Sequence, residues 1–405
     1  MIFSDPVNVI ANWLRGILTG WGLSLGLVNV ILIVLGILIL ATFLLVIDIF
    51  LVWLERKLVA RFQDRLGPNR LGPFGLIQPF ADIIKLFIKE HITPEGADKV
   101  IFNLPPIIAM ATVLLLWAVI PMAPGVLGAD INVAVLYVVA IGGISTLGII
   151  MAGWASNNKY ALVSAFRTVA QIVSYEVPMV ITLLVPVILS GSMGLKTIVD
   201  AQEIWYVVIS PLAALIFLIA SIAELGRAPF DLTEAESELV AGYHIEYTGM
   251  KFGFFYAGEL LHALTTATIT ATLFLGGWKG PFADQVPLLG VVYLFVKSFL
   301  VYFVIVWLKY TLPRLRIDQM LDFCWKVLTP LSLGLLIVVA ILNKALQGAS
   351  TPVYVVAHLA GNIFVAWVAL QLLGKYGRRE RRRVAEVKPV ATSPIGDFQE
   401  VLAEE

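Results

Sequence analysis

The sequence predicts an all-α fold, a polytopic bundle of about nine membrane-spanning helices with interfacial amphipathic helices beside it. The 405 residues are 59% apolar and 14% charged, and their mean hydropathy of +0.91 is too high for an ordinary soluble globule. Apolar runs long enough to cross a hydrocarbon core of about 30 Å recur along the chain. Lys and Arg collect in alternate connections.

The elements follow in order. Residues 1–27 read as an interfacial helix, because Val9, Ile10, Trp13, Ile17, Leu18 and Trp21 recur at helical spacing. Asp5 precedes Arg15, the first arginine, which speaks against a cleaved signal. Spans are expected near 28–53, 100–122, 133–155, 161–190, 203–225, 252–278, 287–309, 328–346 and 352–374. An eight-span core then covers 28–350, a further C-terminal helix 351–374, and a basic, then acidic tail 375–405. The tail, with Arg378, Arg379, Arg381, Arg382 and Arg383, has a composition not expected to order itself and suits an anchor near anionic lipid.

Basic residues crowd 55–99, 156–167, 225–251, 309–326 and the tail, whereas the opposite side holds Arg15, Lys196, Lys279 and Lys344, and Lys297 lies within a span. The bias predicts the N-terminus outside and the C-terminus in the cytoplasm. The longest polar interruptions, about 55–99 and 226–250, then share the cytoplasmic side and together suit one site. No fixed-period repeat or paired Gly/Pro-broken spans favour an inverted-repeat carrier. The single Cys324 excludes an internal disulfide. No Cys or His cluster suits an iron–sulfur centre or haem, so any redox centre is expected on another chain. Nothing points to nucleic acid.

Acids in such a chain need a use, since a charge within hydrocarbon costs roughly 2.5–3.5 kcal/mol on insertion scales. The segment 223–240 carries Glu224, Asp231, Glu234, Glu236 and Glu238 with Arg227. Glu224 and Arg227, at i and i+3, are placed for an ion pair if helical, and Pro229 should break the helix, opening a turn beside Phe230 and Asp231. Glu234 and Glu238 would share a helical face, with Glu236 turned away. A loop of acids facing the cytoplasm is the plainer reading. Deeper in, Glu176 precedes Pro178, whose missing N–H is expected to free a carbonyl for water. Arg167, Gln171 and Ser174 share one face nearly opposite Glu176, so Glu176 needs a partner from a neighbouring span. Glu259 stands three residues before His262, where a structural hydrogen bond is the alternative to a proton-carrying role. Asp48, near the end of the first span, is placed to reach lipid headgroups. A helix from Leu76 would present Phe80, Ile83, Ile84, Phe87 and Ile88 on one face, with Asp82, Lys85 and Lys89 on the other.

Several motifs in one order carry a resemblance: Glu55-Arg56-Lys57, Arg65-x-Gly67-Pro68, Ala81-Asp82-x-x-Lys85, Gly153-Trp154-x-Ser156-Asn157-Asn158-Lys159-Tyr160, Ala170-Gln171-x-x-Ser174-Tyr175-Glu176-Val177, the 223–240 segment, Gly242-Tyr243-x-x-Glu246-Tyr247, and Pro313-Arg314-x-Arg316-x-Asp318-Gln319 with Trp325. Over about 28–335 the chain resembles the H subunit family of proton-pumping NADH:quinone oxidoreductase, respiratory complex I. The resemblance implies a membrane-arm subunit at the junction with the peripheral arm. Such a subunit binds no cofactor alone, takes quinone as substrate, and relies on partner subunits for NADH, flavin and iron–sulfur clusters. Two departures stand out: the family usually has eight spans, and a tyrosine often found after the acid of the sixth long span is Leu260 here.

On this reading quinone enters from the bilayer between the first span and the 76–90 helix, past Arg56, Lys57, Asp82, Lys85, Arg227, Phe230 and Asp231. Protons move through Glu176, Glu224, Glu234, Glu236, Glu238 and Glu259. The partners are the other membrane-arm and peripheral-arm subunits, quinone and lipid, in a bacterial plasma membrane. The alternatives are the similar subunit of a quinone-independent membrane-bound hydrogenase, a secondary proton or cation transporter, and a structural anchor.

Overall fold

A computed structural model describes residues 6–232, 240, 242–283, 285–348 and 350–386, and everything described folds as helices and their connections. An amphipathic α1 (Pro6–Gly20) leads into α2 (Leu25–Phe62). At 1.5 Å per residue α2 is about 57 Å long, so its last turns, bearing Glu55 and Arg56, stand beyond a core of about 30 Å. Then come α3 (Gln78–Ile88), α4 (Lys99–Leu116), α5 (Ala134–Ala155) and α6 (Lys159–Ser190). The short α7 (Leu195–Ala201) and α8 (Tyr206–Ile209) precede α9 (Pro211–Glu224). The chain closes with α10 (Gly249–Phe274), α11 (Pro287–Thr311), α12 (Ile317–Phe323), a π-type turn over Cys324–Leu328, α13 (Thr329–Ala345) and α14 (Thr351–Glu386).

Seven of these stretches are long and apolar enough to cross a membrane: α2, α4, α5, α6, α11, the run Ile317–Ala345 and Thr351–Lys375 of α14. The fold is therefore the expected polytopic helical bundle. The two other expected spans take different forms. The 203–225 span is not one continuous helix, because Pro211 supplies no N–H and Ser210 is drawn to φ −134° and ψ 71°, which splits α8 from α9. α10 has the length but is diluted by threonines, whose hydroxyls bond back within the helix: Thr265 to Leu261 O, Thr268 to Leu264 O and Thr270 to Thr266 O, each at 2.8 Å. Its C-terminal half is buried almost continuously, with Phe274 against Phe217 of α9, centroids 5.6 Å apart.

Two further expectations change. Pro178 was expected to leave a carbonyl open to water, yet the one it frees, Ser174 O, accepts the thiol of Cys324 at 3.0 Å. The helical backbone also does not end at Lys375 but continues in α14 to Glu386. Extending an existing helix adds a hydrogen bond per residue fixed, and Arg and Glu are good helix formers, so the nucleated span carries the first part of the tail with it. The added helix is keyed into the bundle by polar groups. Asn362 accepts from Ser210 Oγ at 3.0 Å and donates to Ile209 O at 3.4 Å, covering the α8–α9 break. Tyr354 OH donates to Asn343 Oδ1 at 2.9 Å.

Candidate functional site

The site begins where α9 stops. Gly226, at φ +63°, takes a left-handed turn that glycine adopts without steric cost. The chain therefore leaves the helix between Glu224 and Arg227, and the expected i, i+3 ion pair is not among the contacts of the described residues. Gln171, buried on α6, fixes this turn from below by donating to Ala223 O at 2.7 Å and to Phe230 O at 2.6 Å. The backbone of Leu315 closes it from the other side, donating to Pro229 O at 2.9 Å.

Arg227, 1% exposed, is thereby held inside the protein between two carboxylates from different helices. Its NH2 lies 3.7 Å from Glu55 Oε2 on α2, and its Nε lies 3.5 Å from Glu259 Oε1 on α10. Glu55 is itself 5% exposed and collects three more donors from α11. Lys309 Nζ stands at 2.9 Å, Tyr310 OH at 2.7 Å and Tyr302 OH at 3.2 Å. Glu55 is thus compensated several times over, whereas Glu259 relies on Arg227, a division that decides which acid is free to change partner.

Two cavities meet at this node. One, of about 430 Å³, is lined by Glu55, Arg56, Arg65, Tyr256, Glu259 and Lys309 among others. The second, smaller and more enclosed, is lined by Ser145, Glu224, His244, Tyr256, Glu259 and His262 among others. Tyr256 and Glu259 belong to both walls. His244 lies in a connection outside the spans, and burial pushes its imidazole below the usual range despite the opposing pull of Glu259. Beyond Glu224 the acids continue. Added Cβ atoms on the consecutive glycines Gly142 and Gly143 of α5 would lie 3.5 Å from Glu224 Oε1 and 3.9 Å from Glu176 Oε1. The glycine pair lets the carboxylates of α6 and α9 approach the same stretch of α5.

The other expected residues fall around this frame. Asp82 of α3 is paired with Arg56 and lies 3.8 Å from Lys85 Nζ, while Phe80, Ile84, Phe87 and Ile88 are exposed as an apolar face. Lys57 does not line either cavity; its stem packs on Gly67. Phe230 is buried against Tyr175, centroids 5.1 Å apart, and Asp231 follows it at the partly buried turn. His262 shares the enclosed cavity with Glu259, whose ion pair is to Arg227. Asp48 is turned into the bundle, 6% exposed with Oδ1 unpartnered. Leu260 lines the larger cavity. Glu234, Glu236 and Glu238 lie outside the described residues. Sequence reasoning missed Glu55 as a site residue, along with Tyr302, Lys309, Tyr310 and Tyr256. The available signal was Glu55 standing two turns after Asp48 on the buried stripe of α2.

A family model described as NADH dehydrogenase matches residues 34–340. The chain is 50% identical over 299 residues to the NADH-quinone oxidoreductase H subunit of Dehalococcoides mccartyi strain CBDB1, covering 74% of this chain and 83% of that one. It is 46% identical over 293 residues to the corresponding H subunit of Geobacillus sp. strain WCH70, covering 72% and 87%. It is 48% identical over 294 residues to the second of the numbered H subunits of Geobacter sulfurreducens, covering 70% and 88%. A helical membrane bundle that gathers acids and bases from α2, α9, α10 and α11 is thus similar to these proteins over most of its length, and the chain belongs to the H subunit family of NADH-quinone oxidoreductase, a proton-translocating membrane enzyme complex.

Proposed function

We propose that this chain forms, with peripheral-arm subunits, the tunnel through which quinone reaches its reduction site, and that it carries the first carboxylates of the proton path. Quinone enters from the bilayer between α2 and α3, where the exposed face of α3 offers an apolar threshold to an isoprenoid tail. Its head travels toward the cavity edged by Arg56, Arg65 and Lys309. NADH, flavin and iron–sulfur clusters belong to partner subunits and deliver the electrons. The polar end of α2 and the 55–99 connection face the cytoplasm of a bacterial plasma membrane, with the N-terminus outside and the C-terminus inside.

Reduction places negative charge near these cations, and they stabilise it until protons arrive. Arg227 stands 3.5–3.7 Å from its two acids, too far for a close hydrogen bond to either. Glu55 keeps Lys309 and the tyrosine hydroxyls whatever Arg227 does, so a charge change in the larger cavity acts on Glu259. Glu259 then passes the change through the enclosed cavity to Glu224, and Glu224 to Glu176 beside Gly142 and Gly143. Glu234, Glu236 and Glu238 extend the acidic path.

The observation that carries this reading is the sharing of Glu259 and Tyr256 by both cavities. It is tested with Glu259→Gln in the assembled complex. The expected result is a loss of quinone-coupled proton translocation while electron transfer from NADH to an artificial soluble acceptor persists; unaltered translocation would refute it.

A further inference from the structure

We propose that α13 and α14 form a binding site for an anionic phospholipid, with its acyl chain in the cleft between them and its headgroup beneath the basic segment that follows the last span. The site rests on the membrane location of the chain and not on the proposed quinone or proton paths.

The two helices make a wedge. At one end they are tied together: Tyr354 donates to Asn343, and Gly361 lies so close to α13 that an added Cβ would come within 2.6 Å of Leu342 Cδ1. From Val338 and Phe364 onward they part around a cleft of about 760 Å³, lined by Val327, Pro330, Leu331 and Leu372 among others. Pro330 and Gly334 lie one turn apart and put little bulk into it, and an added Cβ at Gly334 would meet nothing within 4 Å. Such a space is large enough to need filling, since its lining otherwise forfeits dispersion contacts. The stretch from Phe364 to Lys375 rises about 17 Å, close to the roughly 15 Å hydrocarbon depth of one leaflet.

Charge at the open end selects the headgroup. Asp322, the acid among the lining residues, is already paired with Lys326 across one helical turn. Immediately past the cleft α14 continues as a helix through a stretch containing Lys375, Arg378, Arg379, Arg381, Arg382 and Arg383 against two acids, Glu380 and the terminal Glu386. A polybasic helix leaving the bilayer beside an apolar intramembrane cleft matches the two halves of an anionic lipid. It also gives a use to a helix that lies past the family-model match at residues 34–340.

The test uses the assembled complex reconstituted in nanodiscs of phosphatidylglycerol and phosphatidylethanolamine in equal amounts, with a photo-crosslinking diazirine amino acid at Val368 and mass-spectrometric identification of the adduct. The expected adduct is phosphatidylglycerol, favoured at least threefold over phosphatidylethanolamine. Gly334→Leu, which fills the cleft, should remove most of it. Replacing the five arginines together (Arg378→Gln, Arg379→Gln, Arg381→Gln, Arg382→Gln and Arg383→Gln) should abolish the preference while leaving lipid in the cleft. An adduct to another protein chain in place of lipid, an equal yield from both lipids in the unsubstituted chain, or a preference that survives loss of the arginines would each overturn the proposal.

Discussion

Replacing Arg227 with alanine removes the sole cation that the described structure gives Glu259 and one of several donors that it gives Glu55. Breaking a buried ion pair costs about 3–5 kcal/mol, because the abandoned charge keeps its desolvation penalty. Glu55 retains Lys309 at 2.9 Å and Tyr310 at 2.7 Å, and the Glu259 side chain is 29% exposed toward the cavities. Both facts argue for the lower end, about 3 kcal/mol, or about a hundredfold in an equilibrium constant. NADH-driven quinone reduction in membrane vesicles should therefore fall about a hundredfold in Arg227→Ala. Electron transfer to an artificial soluble acceptor, which bypasses this chain, should be preserved. Arg227→Lys should lie between, because an ammonium cannot present the fork that reaches both acids. Lys309→Met removes one of several donors to Glu55 and one of the three cations named at the larger cavity but leaves Glu259 paired with Arg227, so it should be milder than Arg227→Ala. Normal quinone turnover in Arg227→Ala would refute the reasoning, as would a defect in Lys309→Met equal to it.

Two further substitutions probe the supports of the site. Gln171→Leu removes the side-chain donor from Ala223 O and Phe230 O, which keep only the backbone N–H groups of Gly226 at 3.2 Å and Leu232 at 3.1 Å; at about 1 kcal/mol for each bond lost at the turn that positions Glu224 and Arg227, quinone turnover should drop several-fold, measured on complex whose assembly is verified by native gel. Asn362→Leu uncovers the α8–α9 break and should lower the temperature at which this chain leaves the solubilised complex, by an amount equivalent to about 1 kcal/mol per bond lost.

What the sequence revealed and what it concealed have physical explanations. Apolar runs announce helices, and the face of Phe80, Ile84, Phe87 and Ile88 was legible because a 3.6-residue period needs no tertiary information. The pairing of charges was not legible. Three residues of spacing suggested Glu224 with Arg227, but Gly226 turns the chain between them and Arg227 finds acids 172 positions earlier and 32 later. Glu55 was hidden by its neighbours, since an acid beside Arg56 and Lys57 at a span end reads as a headgroup-level cluster until Tyr302, Lys309 and Tyr310 are seen closing over it. Pro178 was correctly expected to release a carbonyl, but which donor would take it depended on Cys324, 150 residues away. Composition also misjudged the start of the tail, because a segment too charged to fold alone extends a helix already formed by the span before it.

The central claim is that quinone reduction is joined to proton movement through the carboxylates behind Arg227. The most direct measurement follows quinone reduction and proton translocation together in membranes carrying Glu224→Gln. Glu224 lines only the inner of the two cavities described around Glu259 and takes no part in binding the peripheral arm in this account. Both activities should be lost while artificial-acceptor activity remains. Unchanged quinone reduction and unchanged translocation would contradict it.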